Sequence, residues 1–204
     1  MTTLPTTGDA VVDAVFPIDG QTLPRDHAQA LQQVLCARWP WLQTDDLAGI
    51  HPIKVVQGSA DQALLSQRAR LVLRVQARRM EQFMTPDTPE FSVNGHLLRL
   101  GQPHLRELQP HATLYAYKVA AQDGDEMSFM AEVDRELGKL AIGGERVCGK
   151  RQRMAVSGVH LDAFSLMLHA LPAQQSLRLQ RLGLGPHRLL GCGIFVPHKS
   201  AAAV

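Results

Sequence analysis

Residues 173–196, AQQSLRLQRLGLGPHRLLGCGIFV, read as a helix (173–182), a glycine-rich turn and a closing apolar strand (190–196). Working outward, two apolar and basic stretches, 144–157 and 159–170, meet near Gly158 and read as a strand pair. Before them, residues 125–138 read as a helix that ends near Gly138, a suitable C-cap. Residues 112–120, ATLYAYKVA, read as a strand. The order from 112 to 196 is therefore βαββαβ, the ferredoxin-like order.

The first half repeats it. Residues 10–18, AVVDAVFPI, read as a strand. Thr22 is placed to cap a helix, with Pro24 in its first turn and Asp26 near the positive end of the dipole. Ala28, Leu31 and Leu35 recur at helical spacing, and Pro40 stops the run. Residues 50–57, IHPIKVVQ, are a second strand candidate. In the third, Leu71, Leu73 and Val75 alternate onto one face, with Arg70 and Arg74 on the other. A short helix is expected over 78–84, before Thr85-Pro86, and Asn94-Gly95 marks a hairpin within 90–100. The fold expected is α+β, two tandem ferredoxin-like βαββαβ domains over 1–105 and 106–204. The linker is expected near 101–111, where Gly101, Pro103 and Pro110 cluster.

With 204 residues, 45 % hydrophobic and 20 % charged, the composition suits one large globular domain or two small ones. No apolar run approaches the roughly 20 residues of a membrane span. The N-terminus lacks a basic n-region and a signal-type core, so a cytoplasmic protein is expected. Cys36, Cys148 and Cys192 are widely spaced, which disfavours a disulfide framework or a cysteine zinc site. None of the nine histidines sits in HExxH or similar spacing, so metal catalysis has little support. A net charge of +2 points to an acidic partner only if the basic residues cluster.

They do cluster. Arg146, Lys150, Arg151 and Arg153 lie on the 144–157 stretch with only Glu145 opposing, and Arg178, Arg181 and Arg188 form a second group. Such a ribbon suits a nucleic-acid backbone, or is simply a solvated hairpin tip. Gly183, Gly185, Gly191 and Gly193 run from helix to strand, the reverse of a Rossmann loop, and no Walker sequence is present. Glycines there allow close backbone approach to phosphate, or a tight turn needing positive φ. His27 sits one turn into the first helix, on the flank of its apolar face, where the helix N-terminus disfavours the imidazolium and suits a neutral base; a structural histidine is the alternative. His51, beside Pro52 and near Lys54, has a similar claim. Tyr115 and Tyr117 alternate onto one strand face, as stacking residues or as packing. His111-Ala-Thr113 and His198-Lys-Ser200 both fit the Hx(S/T) pattern of two-histidine phosphoesterases, although the second falls in a tail after Pro197.

Ser176-Leu177-Arg178-Leu179-Gln180, Gly183-Leu184-Gly185 and Gly191-Cys192-Gly193-Ile194-Phe195-Val196-Pro197 resemble the CRISPR-associated repeat-RNA endoribonucleases, and the compact subtype labelled MYXAN above all. Val12-Asp13 to Phe16-Pro17, Asp26-His27 with Ala30-Leu31, and Gly49-Ile50-His51-Pro52-Ile53 resemble that subtype as well. The likeness runs from about 10 to 197; the glycine-rich loop alone is shared across the wider RAMP superfamily. The resemblance implies two ferredoxin-like folds. It also implies cleavage of precursor CRISPR RNA at the base of a repeat stem-loop, with no metal or other cofactor. Retention of the mature crRNA and delivery to a multi-subunit interference complex follow. By the same resemblance, a first-helix histidine makes His27 the general base or acid, with His51 in reserve. Lys54 or the 146–153 basic stretch would steady the phosphorane. Arg146, Lys150, Arg151, Arg153, Arg178, Arg188 and the four loop glycines would bind RNA. A non-catalytic RNA-binding RAMP subunit and the two-histidine phosphodiesterase stand as alternatives.

Overall fold

A computed structural model describes residues 9–59, 61–85, 87–156 and 158–199. The chain divides into two compact units, Met1–Glu107 and Leu108–Val204.

In the first unit the central strand is β1 (Val11–Asp19). After it come β2 (Thr22–Pro24), α1 (Ala28–Arg38), a 3-10 turn over Pro40–Gln43, β3 (Gly49–Ile50), β4 (Val56–Gln57), β5 (Gln62–Leu64) and β6 (Arg70–Gln76). A 3-10 segment over Ala77–Phe83 leads to β7 (Glu90–Val93), β8 (His96–Leu100) and β9 (His104–Glu107). The main sheet runs β3-β6-β1-β8-β7, with β9 also on β1; β2-β5-β4 form a small separate sheet. Along one edge of β1 lies β6; along the other, β9 pairs with Val12–Val15 and β8 with Ile18 and Asp19. Strands β3, β6, β1 and β9 thus reproduce the antiparallel ferredoxin-like order. The 3-10 segment and the β7–β8 hairpin stand where a second helix would be. Phe16 packs edge-on against Phe83 at 5.2 Å, and Trp39, ending α1, meets Phe83 at 4.9 Å. Each such aromatic contact adds about 0.5–1.5 kcal/mol beyond burial.

The second unit is more regular. It comprises β10 (Leu114–Ala121), α2 (Glu126–Lys139), β11 (Glu145–Val156), β12 (Val159–His169), α3 (Ala173–Leu182) and β13 (Phe195–Pro197). The sheet order β11-β12-β10-β13 is the ferredoxin-like one, all antiparallel. Asp125 caps α2 by accepting from the Ser128 amide. Leu114, Ala116, Val119 and Ala121 of β10 turn onto the core under the helices, where Phe129 and Phe164 stack at 4.7 Å.

Several expectations need correction. Thr22 and Pro24 do not open a helix: Leu23, fully buried, pairs with Ala63 in the small sheet, and that burial outweighs the local capping signal. The helix starts at Ala28, which puts His27 at its N-cap. Residues 50–57 are not one strand, because the sequence turns off the main sheet at Pro52 and Val56–Gln57 joins the other sheet. The expected linker contains β9, all four of whose residues are exposed, so no hydrophobic period betrayed it. Gly138 lies inside α2; Ala141 takes the left-handed position at φ 51°, and the amides of Ala141 and Ile142 bond the carbonyls of Gly138 and Leu137. Leu137 and Ile142 are both buried, and their contact locks this ending. The last strand is also shorter than 190–196, since Arg188–Leu190 form a 3-10 turn and Gly191 and Gly193 have positive φ. Among the described residues no helix is long and apolar enough to cross a membrane.

Candidate active site

His27 is held where β2 hands over to α1. Pairing of Pro24 with Gln62 and a bond from the Arg25 amide to the Asp61 carbonyl fix the approach. The His27 carbonyl accepts the first helical bond, from Leu31. His27 is 9 % exposed, and its Nδ1 lies 2.9 Å from the Pro24 carbonyl oxygen. A carbonyl only accepts, so Nδ1 carries the proton and a neutral ring has Nε2 as its basic nitrogen. The positive end of the α1 dipole favours an anion beside the ring.

His51 follows β3, anchored by a bond from its amide to the Val72 carbonyl. Its Nε2 stands 3.2 Å from Asp13 Oδ1. Asp13 is the register neighbour of Arg74 on β6 and of Arg106 on β9. Arg74 donates to both carboxylate oxygens, at 2.9 and 3.3 Å, and Arg106 donates at 2.9 Å. Arg74 is 1 % exposed. It does face away from Leu71, Leu73 and Val75, yet it is buried there, between the half-buried Val72 and Gln76, while Arg70 on the same face is exposed. Burial alone would raise the Asp13 carboxyl; contacts with His51 and Arg74 reverse this and hold it well below the usual carboxylate range. Burial, with the charges of Arg74 and Arg106, lowers His51 despite Asp13, so its ring is neutral at pH 7. Lys54 is exposed, three residues further on.

In the second unit most of the expected RNA-contacting cations have protein partners. Arg146 bonds Asp134 and the Gly144 carbonyl. Arg151 and Arg153 share Asp162, within 3.0–3.3 Å. Arg178 donates to the Leu140 carbonyl at the end of α2, and Arg188 to the Leu182 and Arg181 carbonyls at the end of α3. Lys150 is exposed. The arginine pairs of β11 are solvent-facing and therefore weak enough for a phosphate to replace.

The glycine loop is folded on itself. Gly183 bonds back to Leu179, Leu184 to Gly193, Gly191 to Arg188, and Cys192 to His187. The amide of Gly193 donates to the Lys118 carbonyl at 2.7 Å. A Cβ on Gly193 would stand 2.0 Å from the Leu184 carbonyl oxygen. Close approach of backbone to backbone is what these glycines permit.

The Hx(S/T) segments lie side by side, since His198 donates from its amide to the Thr113 carbonyl. His111 is exposed, with its amide on Ser176 Oγ, and the His198 ring lies against Tyr115. Ser200 is outside the described residues.

The residues missed from the sequence are Asp13, Arg74 and Arg106. A signal existed: an Asp inside AVVDAVF and an Arg inside LVLRV are opposite charges in two apolar strands. Buried charges must pair, so these two strands had reason to be neighbours in this register.

The family model described as Cas6 Crispr matches residues 12–200. The chain is 31 % identical over 194 residues to the CRISPR-associated endonuclease Cas6 of Myxococcus xanthus (strain DK1622), covering 95 % of this chain and 84 % of the relative. Among solved structures, one described as CRISPR associated protein Cas6 superposes with a TM-score of 0.64 at 8 % identity, covering 93 % of this chain and 99 % of the other. A Cas6-related protein from Pyrococcus furiosus gives 0.61 at 10 %, covering 92 % and 98 %. Thermus thermophilus Cse3, bound to an RNA representing a pre-cleavage complex, gives 0.53 at 14 %, with the same coverages. At these identities the structures speak for the tandem ferredoxin-like fold, and the sequence matches speak for the family. The chain belongs to the Cas6 family of CRISPR-associated endonucleases.

Proposed function

We propose that the chain is a metal-independent endoribonuclease that cuts precursor CRISPR RNA within each repeat, using His27 as the proton-transferring group. One observation carries the choice: Nδ1 of His27 is committed to the Pro24 carbonyl, which orients the ring at the head of α1 and makes Nε2 its basic nitrogen. His51 is the weaker candidate because it is turned onto Asp13 and serves that buried cluster.

In the reaction the 2′-OH of the scissile nucleotide loses its proton to the base, and O2′ attacks the adjacent phosphorus in line. The P–O5′ bond breaks, and O5′ takes a proton from a general acid. A 2′,3′-cyclic phosphate and a 5′-hydroxyl result. Holding the nucleotide in line contributes rate by itself. A cation such as Lys54 offsets charge on the phosphorane. The β11–β12 ribbon, with Lys150, Arg151 and Arg153, meets the stem through phosphates, as A-form RNA is mostly read by shape. The product is a mature crRNA that the protein retains or passes to other CRISPR subunits.

The test is cleavage of the host repeat RNA in EDTA, with all-ribose RNA and with RNA carrying one 2′-deoxy at the scissile nucleotide. Wild type cuts the first and not the second. His27→Ala slows cutting by about 10²–10⁴-fold with binding retained. Tight binding without any cutting by wild type identifies a binding subunit instead. Undiminished cutting by His27→Ala assigns the base elsewhere, with His51 next.

A further inference from the structure

Strand β12 carries one residue, Ser165, that is opposed by two residues on each side. In β10 the register passes from Ala116↔Leu166 to Val119↔Phe164, leaving Tyr117 and Lys118 opposite Ser165. In β11 it passes from Cys148↔Leu166 to Arg151↔Phe164, leaving Gly149 and Lys150 opposite the same residue. Bulges re-aim side chains. Because Ala116 and Val119 both turn onto the helix-covered core, the β10 bulge places Tyr117 and Lys118 off that face. Tyr115 joins them by strand alternation.

The outcome is a row of three rings. Tyr115 and Tyr117 meet edge-on, with centroids 5.0 Å apart, and the His198 ring lies 5.5 Å from Tyr115 on the other side. Tyr117 is 41 % exposed, and Lys199, next in sequence after His198, is exposed as well. The bulge is held from both sides. Gln152 of β11 donates to the Tyr117 carbonyl at 2.7 Å, and Gly193 of the glycine loop donates to the Lys118 carbonyl at 2.7 Å. An exposed aromatic on a pinned backbone, with lysines beside it, is a preorganised surface for a flat, apolar, negatively tethered group. A nucleobase on its phosphate chain is such a group.

We infer that Tyr117, backed by Tyr115 and His198, is a stacking platform for an unpaired nucleotide of the RNA flanking the repeat stem. This rests on the RNA reading above and adds the single-stranded flank as a recognised element. The glycine loop then serves the platform by holding the Lys118 half of the bulge.

The experiment measures equilibrium binding at one fixed salt concentration with three RNAs: the repeat hairpin with its flanks, the hairpin trimmed of flanks, and the flanked hairpin with abasic flank nucleotides. Wild type, Tyr117→Ala and Tyr117→Phe are compared, each after its unfolding midpoint is checked against wild type. Stacking on one aromatic predicts that Tyr117→Ala weakens binding of the flanked RNA about 5- to 150-fold. Tyr117→Phe stays within about twofold of wild type, as a ring suffices for stacking. The trimmed and abasic RNAs bind wild type and Tyr117→Ala alike. Equal binding of flanked RNA by wild type and Tyr117→Ala overturns the platform and leaves this surface to a protein partner. An equal loss on the trimmed hairpin also overturns it, as a stem contact. If wild type binds none of the three RNAs, the RNA reading itself fails, a result separable from failure of Tyr117 alone.

Discussion

Strands β1 and β10 hold the same place in the two units, each first in its order and each inside its sheet, yet they treat polar residues in opposite ways. β1 runs without interruption against β6, and its one charged residue before Asp19, Asp13, is buried and clamped by arginines from both neighbours. β10 breaks register at Tyr117 and Lys118, and the residues that leave the core face come to the surface or near it. In the first unit a polar group is enclosed and becomes structural. In the second a bulge turns polar and aromatic groups outward. The same topology thus supports a rigid frame on one side and a presenting surface on the other.

The contrast is most sharply tested at its ion pairs. Asp13→Ala leaves Arg74 buried without its carboxylate and is expected to cost about 3–5 kcal/mol in urea unfolding. The double change Asp13→Ala with Arg74→Met is expected to recover most of that, because no buried charge is then left unpaired. Asp162→Ala, which removes the solvent-facing partner of Arg151 and Arg153, is expected to leave the urea midpoint within error. A large effect at Asp162 with a small one at Asp13 would reverse the assignment of frame and surface.

Next in size is Gly193→Ala. The new Cβ meets the Leu184 carbonyl oxygen, and φ is +66°, so a loss of about 1–3 kcal/mol is expected. Binding of flanked RNA should fall with it, while binding of the trimmed hairpin holds. Acidification comes after that. His51 is neutral in the folded state and has a lowered pKa, so below about 6.5 the unfolded chain binds a proton that the folded chain refuses. Stability conferred by this site is present at pH 7.5 and declines as pH falls past 6.5, by at most about 1.4 kcal/mol per pH unit for one proton. His51→Gln should flatten that part of the denaturation-versus-pH curve. The last substitution is favourable: Gly138→Ala, in helix α2 with open space around the new Cβ, should stabilise by about 0.5–1 kcal/mol.

The second unit was the more legible of the two because its signals agree. The helix at 173–182, the strand pair meeting at Gly158 and the apolar alternation of β10 all point to one order. In the first unit local and tertiary signals conflict. Thr22-Leu23-Pro24 has the residues of a helix start, but burial of Leu23 draws it into a sheet. β9 was invisible because its side chains are all exposed and only its backbone and Arg106 attach it. At the site, His27 was legible as a histidine one turn into the first helix, while its N-cap position and its bond to Pro24 were not, because they depend on where β2 ends. The β10 bulge leaves only a short trace, the step from Ala116 to Val119 that skips Lys118, and a single phase break within eight residues does not announce a bulge.

Arg106 has a mechanical side. It sits one residue before the end of β9, and the second unit begins at Leu108, directly after Glu107. A pull on Glu107 in line with that strand loads the four β1–β9 register pairs together instead of unzipping them one by one. The Arg106–Asp13 bond shares the load and carries it to Arg74, at the centre of the first sheet. The last strand of the first unit is therefore tied across three adjacent strands, β9, β1 and β6, so that load on it is shared by the sheet and not borne by one edge.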